Sequence, residues 1–226
     1  MKKQLVAFLA LATLAIPTIC SATPPRMGPY VSGFIGVTFP TDTTATGHDF
    51  NAGRDLNDRV GFDPGVNVGG TGGFDFGFLR LEGELSYKHG EINKVDDRIS
   101  GIRYNDIDGR IGVLAMMGNA FLDLHNPSPI TPYFGGGIGF AAIHQSDTEG
   151  RDTSTGLRTR LYRSDDDTVF AYQAGAGLEI ALSRMLSLDV GYRYFGTSNA
   201  SFNDSSIENK MKFESHNAAV GLRVKF

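Results

Sequence analysis

An alternation of apolar and polar positions runs through this 226-residue chain, and it is clearest at the C-terminal end. In His216–Phe226, Ala218, Val220, Leu222, Val224 and Phe226 share one parity, while Asn217, Ala219, Gly221, Arg223 and Lys225 share the other. A period of two denotes a β-strand with one apolar and one polar face. The same rhythm sets Leu79, Leu81, Leu85 and Tyr87 against Arg80, Glu82, Glu84 and Lys88. It also sets Leu186, Leu188, Val190, Tyr192 and Tyr194 against Ser187, Asp189 and Arg193, and Tyr172, Ala174, Ala176 and Leu178 against Gln173, Gly175, Gly177 and Glu179. Eight strands are predicted: Tyr30–Phe39, Val66–Phe76, Leu79–Lys88, Gly109–Leu122, Pro132–Ile143, Val169–Leu182, Leu186–Gly196 and Glu214–Phe226. Two are less regular. Met116 and Met117 interrupt the fourth, and glycines the fifth, where Phe134, Ile138 and Phe140 are taken as outward.

The connections alternate in length. Pro40–Asn67, His89–Asp108, His144–Thr168 and Thr197–Phe213 are long and polar, whereas Asp75–Phe78, His125–Thr131 and Ser183–Met185 are short. Long loops on one side and tight turns on the other, joining strands of about 9–11 residues or more, match a transmembrane barrel with its loops outside the cell and both termini in the periplasm. Aromatic residues fall where the two membrane rims would lie: Phe39, Tyr87, Tyr172 and Tyr194 at the outer rim, and Phe76, Phe121, Phe134 and Phe226 at the periplasmic rim. A soluble β-sandwich would also alternate, but the loop-length pattern and the terminal Phe favour the barrel.

Residues 1–22 carry Lys2 and Lys3, an apolar run over Leu5–Ile19 and small residues at Cys20, Ser21 and Ala22, the three-part pattern of a secretory leader cleaved after Ala22. The barrel domain is then 23–226. Cys20 raises a lipoprotein reading, which Ile19, standing where a small residue is needed, disfavours. With that one cysteine in the leader, a disulfide or thiolate metal site in the mature chain is not expected. The net charge of −4 argues against a nucleic-acid partner.

Met116–Leu124 (MMGNAFLDL), Thr131–Ala141 (TPYFGGGIGFA), Phe170–Phe195 (FAYQAGAGLEIALSRMLSLDVGYRYF) and Ser215–Phe226 resemble the OmpA-like small barrels of Gram-negative bacteria, closest to the surface-antigen, "porin family" branch. The resemblance covers the strands and leaves out the four long loops. It implies an all-β, eight-stranded antiparallel up-and-down barrel in the cell outer membrane. It further implies handling by periplasmic chaperones and the barrel assembly machinery, with Phe226 in the strand those assembly factors read.

Candidate chemistry is sparse. Gly135-Gly136-Gly137-Ile138-Gly139 and Gly175-Ala176-Gly177 superficially suggest phosphate loops, yet no helix start follows them; close packing of barrel strands accounts for them. Asp165-Asp166-Asp167 and Asn105, Asp106 and Asp108 lack the full calcium-loop spacing. His144-Gln145-Ser146 near Glu149 resembles the nucleophile and base of lipid A deacylases. No cofactor or metal is expected.

The inward parity carries the main constellation. Arg80, Glu82, Glu84, Arg110, Glu179, Asp189, Arg193 and Arg223, with Lys88 and Lys225, point into a lumen only wide enough for side chains. Charges of both signs should pair there, since unpaired buried charge is unfavourable. The expected role is a structural, surface-exposed outer-membrane protein whose loops meet host, phage or lipopolysaccharide. A narrow solute pore is the alternative class, and a lipid A-modifying enzyme a more remote one.

Overall fold

The computed structural model describes residues 27–49, 54–97, 103–153, 155–162, 164–204 and 207–226. These residues form strands and turns, with no helix among them. In chain order the strands are β1 (Gly28–Pro40), β2 (Thr43–Asp49), β3 (Arg54–Phe62), β4 (Gly65–Asp75), β5 (Leu79–Asp97), β6 (Arg103–Asp108), β7 (Arg110–Asp123) and β8 (Ile130–Gln145). They continue as β9 (Thr148–Asp152), β10 (Arg158–Tyr162), β11 (Asp165–Ala181), β12 (Leu186–Thr197), β13 (Ala200–Asp204), β14 (Ile207–Met211) and β15 (Glu214–Lys225). The predicted leader over residues 1–22, with its expected cleavage after Ala22, lies outside the described residues.

Eight strands close into an antiparallel barrel, each hydrogen-bonded to the next along β1, β4, β5, β7, β8, β11, β12 and β15. β15 returns to β1, in register from Tyr30↔Lys225 to Pro40↔Ser215, so the barrel leaves no open edge. Each stave matches one of the eight predicted segments to within a few residues at most ends. β5 is the exception, continuing nine residues past Lys88.

Burial follows the alternation. Leu81, Leu85, Tyr87, Val190, Tyr192, Val220, Leu222 and Phe226 are exposed to the lipid side, while Arg80, Glu82, Glu84, Glu179, Asn217, Arg223 and Lys225 are buried inside. Phe134, Ile138 and Phe140 also face outward. The interrupted fourth segment resolves between its two methionines: Met116 is 67% exposed and Met117 only 2%. That parity corrects two assignments. Phe121 belongs to the lumen, buried against Tyr133 with ring centroids 5.4 Å apart, and is not part of the periplasmic girdle. Arg110 shares the outward parity of Leu114 and Met116 and is exposed.

The periplasmic turns are tight. Gly77 adopts a φ of +96°, a conformation suited to glycine, and its N–H donates to Asp75 Oδ1 at 2.8 Å. At the next turn but one, Ser183 Oγ accepts from the N–H groups of Met185 and Leu186.

The outer side differs from the loop expectation. Within the described residues the long connections carry seven strands of their own. These build a second sheet in the order β13-β14-β2-β3-β5-β6-β9-β10, with β5 common to both sheets. This collar stands above the barrel and shares its core. Val113, Ala115, Met117, Ala141, Ile143, Val169, Ala171 and Phe195 from the upper barrel pack with Ala45, Val60, Phe62, Ile92, Ala200, Met211 and Phe213 from the collar and its approaches.

Candidate functional site

The lumen has two storeys. The lower one, on the periplasmic side, is polar because the inward positions of β4, β5, β7, β11, β12 and β15 carry charge there. Among the described residues it holds six carboxylates, Asp75, Glu82, Glu84, Asp123, Glu179 and Asp189, and the cations Arg80, Arg193, Arg223 and Lys225; Lys88 stands above them.

Glu179 is the hub. It pairs with Arg223, with Arg80 Nη1 at 3.4 Å and with Lys225 Nζ at 2.7 Å. Arg223 reaches on to Asp189 at 2.9 Å, and Lys225 to Asp75 at 3.0 Å. Arg80 faces Asp123 at 3.5 Å. One layer higher, Arg193 pairs with Glu84 and lies 3.5 Å from Glu82. Neutral donors complete the layers. Tyr30 donates to Glu82 at 2.6 Å and Tyr133 to Asp189 at 2.8 Å, while Asn119 and Gln173 both donate to Glu84. Aromatic faces cover the guanidinium groups: Tyr133 lies 4.6 Å from Arg80, and Tyr30 4.8 Å from Arg223. Burial on this scale is tolerable because each charge has an opposite charge beside it, although Arg80 Nε, Arg223 Nε and both Asp123 carboxylate oxygens make no hydrogen bond.

Lys88 marks the boundary between storeys. Its Nζ donates to Ser86 at 3.0 Å and sits 4.2 Å from the Phe195 ring. Above it the apolar storey fills the lumen. A small enclosed hollow beside Ser32, Asn67, Thr71 and Asn217, about 20 Å³, has room for about one water.

The structure therefore brings together seven of the eight lumen residues read from sequence: Arg80, Glu82, Glu84, Glu179, Asp189, Arg193 and Arg223. Arg110 is the correction. It lies outside the lumen, beside Ser146, whose hydroxyl accepts from the Arg110 backbone N–H at 2.8 Å. Lys225, already read as inward, joins the network, and Asp75 and Asp123 are the members that the sequence reading missed. Asp75, Asp123 and Glu179 gather three carboxylates within 4.8 Å, and the Lys225 ammonium already lies between two of them.

The remaining sequence candidates are dispersed. His144 Nδ1 lies 2.6 Å from Asp166, and Ser146 is held by the Arg110 backbone, so the two side chains engage different partners. Asp167 accepts from the Ser201 N–H at 2.8 Å. The glycine runs lie in strands. A Cβ at Gly135 would fall 2.1 Å from the Ala120 carbonyl, and one at Gly139 would fall 2.0 Å from that of Met116, so close strand packing requires them.

A closed barrel with a lipid-facing apolar band, aromatic rims and a charged interior is a transmembrane β-barrel of the bacterial outer membrane. Residues 6–226 match the family model described as outer membrane protein beta-barrel domain, and the chain belongs to that family. Its place is the cell outer membrane. An uncharacterised protein of Brucella suis is 29% identical over 198 residues, covering 76% of this chain and 68% of that protein. The outer membrane protein PagN of Salmonella typhimurium is 27% identical over 218 residues, covering 86% and 85%. Among solved structures, OprG from Pseudomonas aeruginosa has the same fold at a TM-score of 0.57, with 13% identity over 89% of this chain and 98% of that one.

Proposed function

We propose that this chain is a non-conducting, surface-exposed barrel whose working part is the collar. The carrying observation is that both storeys of the lumen are filled, by ion pairs below and apolar side chains above, while the collar stands as an ordered sheet continuous with that core. A solute pore would need an open polar path, and the apolar storey stands across it. The collar's outer faces are the surfaces left for contact with lipopolysaccharide, host or phage. Chaperones and the assembly machinery would read the β15 end, where Phe226 stands 56% exposed on the lipid side.

Surface display is tested with single cysteines. Leu157, at the exposed tip between β9 and β10, and Ser128, in a periplasmic turn, are the positions to compare. Leu157→Cys should react with an impermeant maleimide on intact cells and Ser128→Cys only after lysis. Labelling of Ser128→Cys on intact cells would reverse the topology. For assembly, Phe226→Asp should lower the outer-membrane level of the protein far more than deletion of residues 154–160; equal levels would remove Phe226 from the assembly signal.

A further inference from the structure

The charges of the lower lumen divide by height. Among the described residues, the layer nearer the periplasm sets four carboxylates, Asp75, Asp123, Glu179 and Asp189, against Arg80, Arg223 and Lys225. The layer above it sets Glu82 and Glu84 against Arg193 and Lys88. The upper layer is neutral, and the lower one is left a positive charge short.

The shortfall falls on Asp123. Asp75 accepts from Lys225 and from the Gly77 N–H, Glu179 meets Arg80, Arg223 and Lys225, and Asp189 accepts from Arg223 and Tyr133. Asp123 is 5% exposed, and neither of its carboxylate oxygens has a hydrogen bond. Among the described residues its ion-pair neighbour is Arg80, 3.5 Å away and shared with Glu179. Lys225 bridges Asp75 and Glu179 without reaching Asp123. A carboxylate buried in this way is unfavourable unless further positive charge meets it.

The geometry suits a metal ion. One oxygen each from Asp75, Asp123 and Glu179 lie within 4.8 Å of one another. Their common centre is then at most about 2.8 Å from each, close to the roughly 2.3–2.6 Å at which a hard cation such as calcium holds its oxygen ligands. A donor set made only of oxygens suits a hard ion. The single missing charge selects a monovalent ion, because a second charge would stand uncompensated beside Arg80, Arg223 and Lys225. Asp75 ends β4 and Asp123 ends β7, both at periplasmic turns, so the ion enters from the periplasm without passing the upper charged layer or the apolar storey. We infer that Asp123, with Asp75 and Glu179, binds a sodium-sized monovalent cation at the periplasmic end of the lumen.

The test uses the full-length barrel folded in phosphatidylcholine vesicles and reads its urea midpoint in sodium chloride and in choline chloride at equal ionic strength, choline being too large for the site. Sodium at ten times its dissociation constant should raise the wild-type midpoint by about 0.5 M or more. Asp123→Asn removes the unmatched charge, so its midpoint should be the same in both salts, and in choline it should be at least as stable as the wild type. Asp166→Asn, a change to an exposed acid of the outer wall, should keep the full sodium response. Heat-modifiable gel mobility verifies that each variant is folded; if Asp123→Asn does not fold, the wild-type comparison of the two salts decides by itself. A wild-type midpoint equal in both salts overturns the site, and a rise on acidification alone would then mean that a proton, not a metal ion, meets Asp123. A sodium response that survives in Asp123→Asn overturns it as well. So does a calcium response that exceeds the sodium one and is lost in Asp123→Asn, which would make the bound ion divalent.

Discussion

Glu179 bears more of the lower lumen than any other residue, because Arg80, Arg223 and Lys225 all converge on its carboxylate. Replacing it leaves three buried cations short of a partner. Glu179→Gln should therefore lower the urea midpoint of the folded barrel, reflecting a stability loss of up to about 3–5 kcal/mol if lumen water does not screen the exposed charge. Arg110→Ala, on the outer wall, should change stability by less than about 0.5 kcal/mol. Equal losses in the two variants would contradict the network. Glycines give a second contrast. A Cβ at Gly139 would overlap backbone, whereas one at Gly72 meets nothing within 4 Å. Gly139→Ala should depress the heat-modifiable fraction, and Gly72→Ala should leave it unchanged. The lumen charges were legible in the sequence wherever parity was clean, as in Leu79–Lys88. They were not legible around Met116-Met117, where both faces are apolar and a one-residue slip sends every side chain to the other wall. Arg110 and Phe121 were misplaced by that slip. Asp123 stands one residue past the predicted end of its strand, and Asp75 lies in a strand to which no faces were assigned.

At the scale of elements, the staves were readable because each meets lipid on one side and the lumen on the other, which imposes a period of two. The collar strands answer to no such constraint. Thr43–Asp49 reads TTATGHD, with no apolar stripe, and it is a strand because β3 and β14 flank it and take up its backbone hydrogen bonds. The upper lumen was hidden for the opposite reason. Val113-Leu114-Ala115-Met116-Met117 is apolar on both faces, since one face meets lipid and the other the apolar storey, and buried strands of this kind lose their alternation. The shared core ties the collar to the barrel, with Val60 of β3 and Ile92 of β5 both buried in it. Val60→Asp places an unpaired charge in that core, a change worth several kcal/mol. External protease should then cut within the collar of Val60→Asp while the wild-type collar resists, and the barrel of the variant should keep its heat-modifiable mobility. Rapid cleavage of the wild-type collar under the same conditions would show that the collar is no ordered sheet.

At the scale of the whole molecule, the barrel, its two-storey filling and its collar form one continuous structure. The membrane fixes the outward faces, electrostatics fixes the lower lumen, and hydrophobic burial fixes the upper lumen together with the collar above it. Closure of the lumen is what separates a display scaffold from a pore, and it is measured by single-channel recording of the purified wild type in planar bilayers. The filled lumen predicts a silent bilayer, with at most brief and irregular events. Large, steady, reproducible channels in the wild type would contradict it and make the protein a pore.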